Sequence, residues 1–283
     1  MFQHIVVAFD GSERAHDALA LALRLRAEDG VITLACTVTE RPWHRPEPDA
    51  VALTLATGRA QIPAGIHVRL RAPVASSPAR GLTELAEDEH ADLVVVGSSR
   101  RSASGRIWLE RTAGRLLQGA PCAVAVPPAG LRDAERFHHV AIAYDGSPEA
   151  RGALAAGYAI AAGTGAAVTL MYALPETPTD FADAALRERV RAHEVLDEAA
   201  EAAPLGVNPR TLLLHGHPGR VIADACNGVV DLLVTGSRGY GPVQRALMGS
   251  VAEALMDGAA HPVLVVPRDP VAALAAPALA EAS

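Results

Sequence analysis

The chain has 283 residues, half of them apolar, and a formal net charge of −7 at pH 7, which suits about two domains, each with its own core. The negative charge and the lack of a basic run argue against nucleic acid or an anionic membrane as the main partner. All 25 basic residues are arginines, so a Walker A loop, a Schiff-base lysine and a lysine nucleophile are excluded.

The start of the chain and its cysteines indicate the compartment. The N-terminus enters an apolar strand without the charged segment and apolar core of a signal peptide, and arginines interrupt the apolar stretch that follows. We therefore expect a cytoplasmic chain without a membrane span. The three cysteines are odd in number, far apart and set in apolar patterns, which predicts buried thiols instead of a disulfide framework or a zinc site: Cys36, Cys122 and Cys226.

A strand that ends in an Asp-Gly-Ser turn occurs twice. The copies are residues 5–12 and 139–147, and such internal repetition is the first guide to how a chain is organised. An alanine-rich helix follows each turn, with Ser12 and Ser147 as the predicted N-caps. The helices span residues 13–27 and 148–162, and the second strands span residues 31–38 and 167–174.

The next connection differs between the copies. Residues 181–203 predict a long amphipathic helix with one face formed by Leu186, Val190, His193 and Leu196. In the first copy, prolines in residues 41–48 rule out regular helix, and a short helix near residues 51–60 remains. This proline-rich loop is either a partner site with an exposed Trp43 or a covering strap whose tryptophan packs inward.

The remainder of each copy continues the alternation of strand and helix. The third strands span residues 66–70 and 210–214, the fourth 92–96 and 231–235, and the fifth 122–126 and 262–266. Five strands alternating with helices predict a doubly wound, five-stranded parallel sheet of the Rossmann-like α/β class in each half, with right-handed crossovers. The predicted domains are residues 1–128 and 138–268, with a linker at 127–136 and a mobile tail at 269–283.

The predicted strand order locates a ligand site. In an open parallel sheet the ligand lies beyond the carboxyl ends of the strands, where the strand order reverses. The first and fourth strands should flank this point in each half. In the second half this places Asp145 across a crevice from Gly236, which ends the fourth strand.

A glycine pattern follows that fourth strand. Gly236-x-x-Gly239 is followed, after nine intervening residues, by Gly249-Ser250, and the segment joins a strand to a helix. Glycine permits positive φ and close backbone approach, and the free N–H groups at a helix start attract anions. A lone Gly-x-x-Gly is typical of an ordinary turn, but the added Gly-Ser at a helix start indicates a cradle for a phosphate chain.

This spacing resembles the ATP-binding signature of the universal stress protein family, and both halves resemble its domains, a fold similar to that of the adenine nucleotide alpha hydrolases. The resemblance implies ATP as the ligand, alone or with Mg²⁺. It also implies the site residues, which are Ala143, Asp145, Ala173, Gly236, Arg238, Gly239, Gly249, Ser250 and Val251.

The resemblance gives these residues roles. Asp145 would accept hydrogen bonds from ribose hydroxyls or base nitrogens beside Ala143, and Ala173 would offer backbone groups to the adenine edge. The glycine loop would hold ribose and phosphates through backbone N–H groups, with the Ser250 hydroxyl as a further donor and Arg238 as a forked positive charge. On local sequence alone, Asp145 is equally a turn residue before Gly-Ser.

The first half departs from the signature. Gly97 is present, but Arg100 stands at the second glycine position and Glu110-Arg111 replaces the Gly-Ser pair. A glutamate there would repel a phosphate at close range, so we expect the first half to bind ATP weakly or not at all. Its arginines either bind an anion in another geometry or form a solvated basic loop: Arg100, Arg101, Arg106 and Arg111.

The sequence gives little support for catalysis. No carboxylate pair, Ser/His/Asp order or metal-ligand cluster stands near the glycine loop in sequence, and His215-Gly216-His217 lacks a third ligand and reads as a loop. We expect a binding protein, not an enzyme: a tandem, cytoplasmic, ATP-binding regulator of the stress response that acts through an unknown protein partner. The alternatives are a nucleotide-independent interaction scaffold and a slow ATPase.

The resemblance further implies how the halves pack. As two separate chains do in that family, they would form an intramolecular pseudo-dimer through their fifth strands, residues 122–126 and 262–266. The edges of both sheets would then be covered instead of exposed. A homodimer of the whole chain is compatible with this arrangement.

Overall fold

A computed structural model describes residues 1–39, 48–99, 106–107, 109, 111–131, 136–175, 182–237, 250–257 and 259–267. The first half contains β1 (Phe2–Ala8), α1 (Glu13–Leu25), β2 (Arg26–Ala35), β3 (Val38–Thr39), α2 (Pro48–Arg59), β4 (Val68–Arg71), β5 (Val74–Ala75), α3 (Pro78–Asp88), β6 (Leu93–Val95), α4 (Arg111–Gly119) and β7 (Ala123–Val126). The second half contains β8 (His139–Ala143), α5 (Pro148–Thr164), β9 (Ala167–Leu174), α6 (Ala182–Glu201), β10 (Arg210–His215), α7 (Pro218–Cys226), β11 (Leu232–Gly236), α8 (Ser250–Met256) and β12 (Val263–Val266).

One sheet of ten strands runs through both halves, in the order β10-β9-β8-β11-β12-β7-β6-β1-β2-β4. Within each half the strands are parallel, and the central strand is the first along the chain, with the fourth and fifth strands on one side. The predicted doubly wound α/β fold is therefore confirmed. The order of strands reverses between the first and fourth strands of each half, as a crevice at that point requires.

The two halves join through their fifth strands, as predicted. β7 and β12 pair antiparallel, with Val126 opposite Val263 and Val124 opposite Val265. The hydrophobic cores on both faces of the sheet continue across this junction. Helices α1, α2, α5 and α6 cover one face, and α3, α4, α7 and α8 cover the other. Further contacts cross it: the Arg24 guanidinium lies 4.2 Å from the centre of the Phe137 ring.

The repeated turn has the same geometry in both halves. Gly11 and Gly146 both have a φ of +77°, which explains the glycine in each copy. The carboxylate of the preceding aspartate accepts the N–H of Ser12 or Ser147 at 3.0 Å. The serine side chain in turn accepts the backbone N–H three residues later, so both predicted N-caps are confirmed.

The amino ends of the two half-sheets also share a pattern. In each half a histidine of the first strand donates its backbone N–H to a buried or half-buried aspartate and places its ring Nε2 near a threonine hydroxyl of the second strand. The three residues are His4, Asp92 and Thr33 in the first half, and His139, Asp231 and Thr169 in the second.

Glu89 extends this pattern in the first half alone. Its carboxylate accepts the Thr33 hydroxyl at 2.7 Å and lies 2.6 Å from Nε of Arg71. Burial by itself would raise the pKa of Glu89, but the Thr33 hydrogen bond and the nearby positive charges outweigh it and hold the pKa below its usual value. In the second half, Gly228 stands three residues before Asp231, where the first half has Glu89, and the carbonyl oxygen of Val229 lies 3.0 Å from the other ring nitrogen, Nδ1, of His139.

The structure corrects two details of the predicted elements. β3 and β5 form an additional two-stranded sheet, because the chain after β2 continues with a short pairing that is too brief to show periodicity. On α6, Leu186 and Val190 are 59% and 50% exposed, and His193 is exposed too. Leu196, also predicted on this face, is buried, and it packs on the sheet together with Ala192 and Ala199, whose small side chains allow close approach.

Other expectations concern cysteines, membranes and loops. Cys122 and Cys226 are buried, Cys36 is half-buried, and all are free thiols, as predicted; burial raises the pKa of the two buried thiols to about 12. In the described parts of the chain, no helix is both long enough and apolar enough to cross a membrane. The proline-rich loop with Trp43, most of the linker after residue 131 and the tail at 269–283 lie outside the described residues.

Candidate functional site

A crevice of about 580 Å³ lies beyond the carboxyl ends of β8 and β11. Asp145 stands on one side of it and Gly236 on the other, as the strand order predicts. The full lining consists of Ala143, Tyr144, Asp145, Ala150, Met171, Ala173, Pro218, Ile222, Thr235, Gly236 and Val251. A mainly apolar crevice with a few polar groups is typical of small-molecule sites.

Backbone hydrogen bonds fix the ends of the strands that form the crevice. The N–H of Tyr144 donates to the carbonyl of Met171, and the N–H of Ser237 donates to that of Val266, both at 2.9 Å. The bonds extend each ladder by one residue past the strand end. They hold Asp145 and Gly236 at the rim of a rigid sheet, where a ligand would meet them in a preorganised position.

The Asp145 carboxylate has capacity left for a ligand. One of its oxygens, Oδ1, accepts the Ser147 N–H of the turn at 3.0 Å. This bond orients the carboxylate, so both readings of Asp145 made from the sequence apply at once: it is a turn residue and it lines the crevice. A carboxylate has about four acceptor sites, and the turn uses one of them.

Five of the nine predicted site residues meet in this crevice: Ala143, Asp145, Ala173, Gly236 and Val251. Ser250 begins α8, directly before Val251, and its side chain lies outside the described part of the chain. Arg238, Gly239 and Gly249 also lie outside the described residues, so their predicted roles remain predictions.

Several lining residues are not among those predicted from the sequence. Met171 and Thr235 form the apolar and polar parts of the floor, Ile222 and Pro218 come from α7, and Tyr144 stands beside Asp145. A signal was available for two of them. Met171 lies two residues before Ala173 and therefore on the same face of β9, and Thr235 directly precedes Gly236. Both residues must therefore lie beside predicted site residues.

The first half has a crevice at the equivalent place. Its lining includes Ala8, Asp10, Ala35, Val96 and Gly97, which correspond by strand and register to residues of the second crevice. The volume is about 740 Å³. Loss of the glycine signature from the first half has therefore not closed the crevice.

The pair His215 and His217 does not gather ligands in the described structure. His215 ends β10, and His217 lies at the N-cap position of α7 without a side-chain capping bond. Within the described ranges, no group of three His, Cys, Asp or Glu side chains is arranged to hold a metal ion.

Comparison with known proteins identifies the family. A sequence model described as the universal stress protein family matches residues 1–128 and again residues 136–267. The chain belongs to the universal stress protein family. The two matches correspond to the two half-sheets, so this is a tandem universal stress protein.

Individual relatives agree with this assignment. A universal stress protein of Thermus aquaticus, named for its position in the 3′ region of QAH/OAS sulfhydrylase, is 36% identical over 137 residues, which is 46% of this chain and 98% of that protein. A universal stress protein of Archaeoglobus fulgidus has a TM-score of 0.66 at 20% identity, over 94% of this chain and 98% of that one. A Pseudomonas aeruginosa protein assigned to the same family has a TM-score of 0.67 at 18% identity, over 94% and 93%. These structural matches extend the likeness in fold to the whole tandem chain.

Proposed function

We propose that the second half of this universal stress protein binds ATP and that a protein partner reads its nucleotide state. The observation that carries the proposal is the crevice between Asp145 and Gly236, at the point where the strand order reverses. The glycine loop that follows Gly236 in sequence supplies the phosphate-binding spacing.

The lining suits a nucleoside. Ala143, Met171 and Ile222 offer apolar surface to a base, and the Asp145 carboxylate offers acceptors to ribose hydroxyls. Beyond Gly236, backbone N–H groups of the loop would hold the phosphates, and Arg238 would add charge. Mg²⁺ would then be held mainly by the phosphates, because Asp145 is assigned to the ribose.

We propose binding without rapid turnover. A cradle of backbone donors stabilises bound phosphate but supplies no base to activate water. Among the described lining residues of the second crevice, Asp145 is the carboxylate, and its place in this arrangement is at the ribose and not at the γ-phosphate.

The first experiment measures nucleotide content. Protein purified gently is denatured, and the released nucleotide is quantified by anion-exchange chromatography as ATP per chain. The wild type should carry close to one ATP per chain, and Asp145→Asn should bind ATP at least about tenfold more weakly, because a neutral amide is a weaker acceptor. The amide oxygen still accepts the Ser147 N–H, so the turn keeps its geometry.

Asp10→Asn is the matched control, because Asp10 has the same turn bond in the first half. It should leave the ATP content unchanged. If the wild type neither carries ATP nor binds it with added Mg²⁺, the nucleotide-independent scaffold replaces this proposal. Many turnovers of ATP per minute by purified protein would instead establish an ATP-consuming enzyme.

Asp145→Asn and a surface variant, Glu84→Gln, test the role of the partner. If nucleotide state is read, cells that carry Asp145→Asn should lose stress survival while cells that carry Glu84→Gln keep it, because Glu84 is exposed on α3 and lines neither crevice. Equal survival of both, with ATP binding lost in the first, would separate ATP binding from the biological effect.

A further inference from the structure

The crevice of the first half keeps the plan of a nucleotide site but has different side chains. Ala35 and Met171 are equivalent positions, because Ala35 is the β2 partner of Ala8 and Met171 is the β9 partner of Ala143. The smaller alanine leaves more room at the floor of the first crevice. Thr37 stands where the second half has Ala173, which adds a hydroxyl to the wall.

The most consequential change is a positive charge. Arg14 lines the first crevice, at the position where the second half has Glu149 in sequence. The Arg14 side chain is 19% exposed, and its Nη1 lies 2.8 Å from Oδ2 of Asp17. Asp17 is fully buried and also accepts the backbone N–H of Gly130 at 3.0 Å.

This arrangement fixes the direction of the guanidinium. Asp17 is anchored from two sides, by α1 and by the segment after β7, and it engages one nitrogen of the Arg14 fork. A guanidinium carries five N–H donors, so a ligand can be met by others. An oriented guanidinium at a crevice is suited to a phosphate or a carboxylate.

The sequence of the first half argues against a long phosphate chain. Arg100 and Glu110 replace the second and third glycines of the ATP signature, and those glycines let the backbone approach successive phosphates. One oriented arginine suits one phosphate group. The carboxylate of Asp10 lies at the same turn position as that of Asp145 and lines the same part of its crevice, so the ribose end is retained.

We propose that the first crevice binds a nucleoside monophosphate, with the ribose at Asp10 and the phosphate at Arg14. Asp17 is then a positioning residue, since it acts through Arg14. The placement of base and ribose rests on the function proposed for the second half. The phosphate assignment rests on Arg14 and Asp17, which are particular to the first half.

The test uses the full chain with the second site disabled. Gly239→Arg gives the second loop the residue found at the equivalent position of the first. In this background, AMP and adenosine are titrated separately by calorimetry. We expect one AMP per chain, with adenosine bound at least about tenfold more weakly, which is the ratio expected for one charge-assisted hydrogen bond.

The phosphate contact is tested by Arg14→Gln made together with Asp17→Asn, so that no buried charge loses its partner. The double variant should bind AMP and adenosine with equal affinity, because the phosphate of AMP has lost its charged partner and adenosine never contacted it. Arg80→Gln is the charge-matched control, since Arg80 is exposed on α3 and bound to Glu84. It should leave the AMP affinity unchanged.

Three results would overturn the proposal. The first is that the Gly239→Arg variant binds no AMP. The second is that AMP binds the wild type only at the second site, where ATP displaces it. The third is that the preference for AMP over adenosine survives the loss of Arg14. The ATP content of the double variant in an otherwise wild-type chain reports that it is folded. Absence of ATP from the wild type together with Arg14-dependent AMP binding would refute the function proposed for the second half and leave the first site standing.

Discussion

The two halves of the molecule share a backbone architecture and differ in the side chains that line their crevices. Strand order, the Asp-Gly-Ser turn with its capped helix, and the crevice at the order reversal occur in both. The differences lie in a few side chains at equivalent positions, such as Ala35 against Met171. Packing therefore preserves the crevice, and side chains on its wall set the chemistry of the ligand.

Gly97 shows this separation at a single residue. It persists in the half that lacks the rest of the ATP signature, and the structure gives the reason: a Cβ at position 97 would lie 2.5 Å from the backbone oxygen of Arg14. The glycine at the end of the fourth strand is required for helix α1 to approach the sheet. In contrast, the function proposed above assigns the loop glycines of the second half to a ligand, and the first half has replaced them.

The two halves should unfold as one cooperative unit, and a substitution at their junction should have the largest effect on stability. Leu264 is fully buried in β12 and pairs with Ala125 of β7 at the junction. Leu264→Ala should lower the free energy of unfolding by about 4 kcal/mol, from lost burial and the cavity left behind. Urea unfolding followed by circular dichroism and by tryptophan fluorescence should keep a single, shifted transition.

Leu205→Ala is the control, because this side chain is fully exposed, and it should change stability by less than about 0.5 kcal/mol. Two separate transitions in Leu264→Ala, one of them at the wild-type midpoint, would show that the halves unfold independently.

The structural role assigned to Gly97 gives the next largest effect. Gly97→Ala should destabilise the protein by about 2–3 kcal/mol, because the clash is with backbone that cannot rotate away. Gly114, within α4, has open space around the added methyl group, so Gly114→Ala should stabilise by about 0.5–1 kcal/mol. Thermal unfolding measures both. A neutral Gly97→Ala would return this glycine to a ligand-binding role.

Glu89 distinguishes the amino ends of the halves and predicts a pH dependence. Its folded pKa is lowered, so its stabilising contribution is present above the pKa of the unfolded chain and is lost as pH falls through the folded value. Glu89→Gln should therefore cost about 1–2 kcal/mol at neutral pH, and the difference from wild type should shrink in acid.

Urea midpoints at neutral and acidic pH measure this difference. Glu84→Gln is the control, because Glu84 pairs with Arg80 on an exposed helix surface and should show no measurable loss. A penalty for Glu89→Gln that is constant with pH would mean that shape, and not charge, explains the loss.

The smallest expected loss of stability concerns the capped turns, which have the same geometry in both halves. Ser12→Ala and Ser147→Ala each remove one N-cap bond and should each cost about 1 kcal/mol. The two losses should add in the double variant, because the turns are distant. Chemical unfolding of all three proteins checks this. A large excess at one turn would show that the two capped turns are not equivalent.

Much of the architecture could be predicted because the same pattern of strands and turns occurs twice in the sequence. The Asp-Gly-Ser repeat and the five apolar strands of each half indicated the parallel sheet and the crevice between Asp145 and Gly236. These signals are local in sequence, and the repeat supplied an internal check on each.

What could not be predicted depends on contacts distant in sequence. Asp17 reads as a polar position on a helix, and its burial beneath Arg14 follows from the backbone of Gly130, far along the chain. The inner face of α6 is another case, since the leucine and valine of its first turns lie outside the core while alanines pack inside. Ala192, Leu196 and Ala199 keep the helical spacing, but tertiary packing selects which face of the helix is buried.

The antiparallel β7–β12 junction has a consequence for assembly. Two separate chains that met through such strands would associate only above their dissociation constant, whereas a tether raises the effective concentration of one half for the other to about millimolar. Pairing of the halves is thus independent of protein concentration, and a substitution at one crevice appears once per molecule instead of twice. The two crevices keep a fixed one-to-one ratio, while the side chains that line one can change without any change in the other.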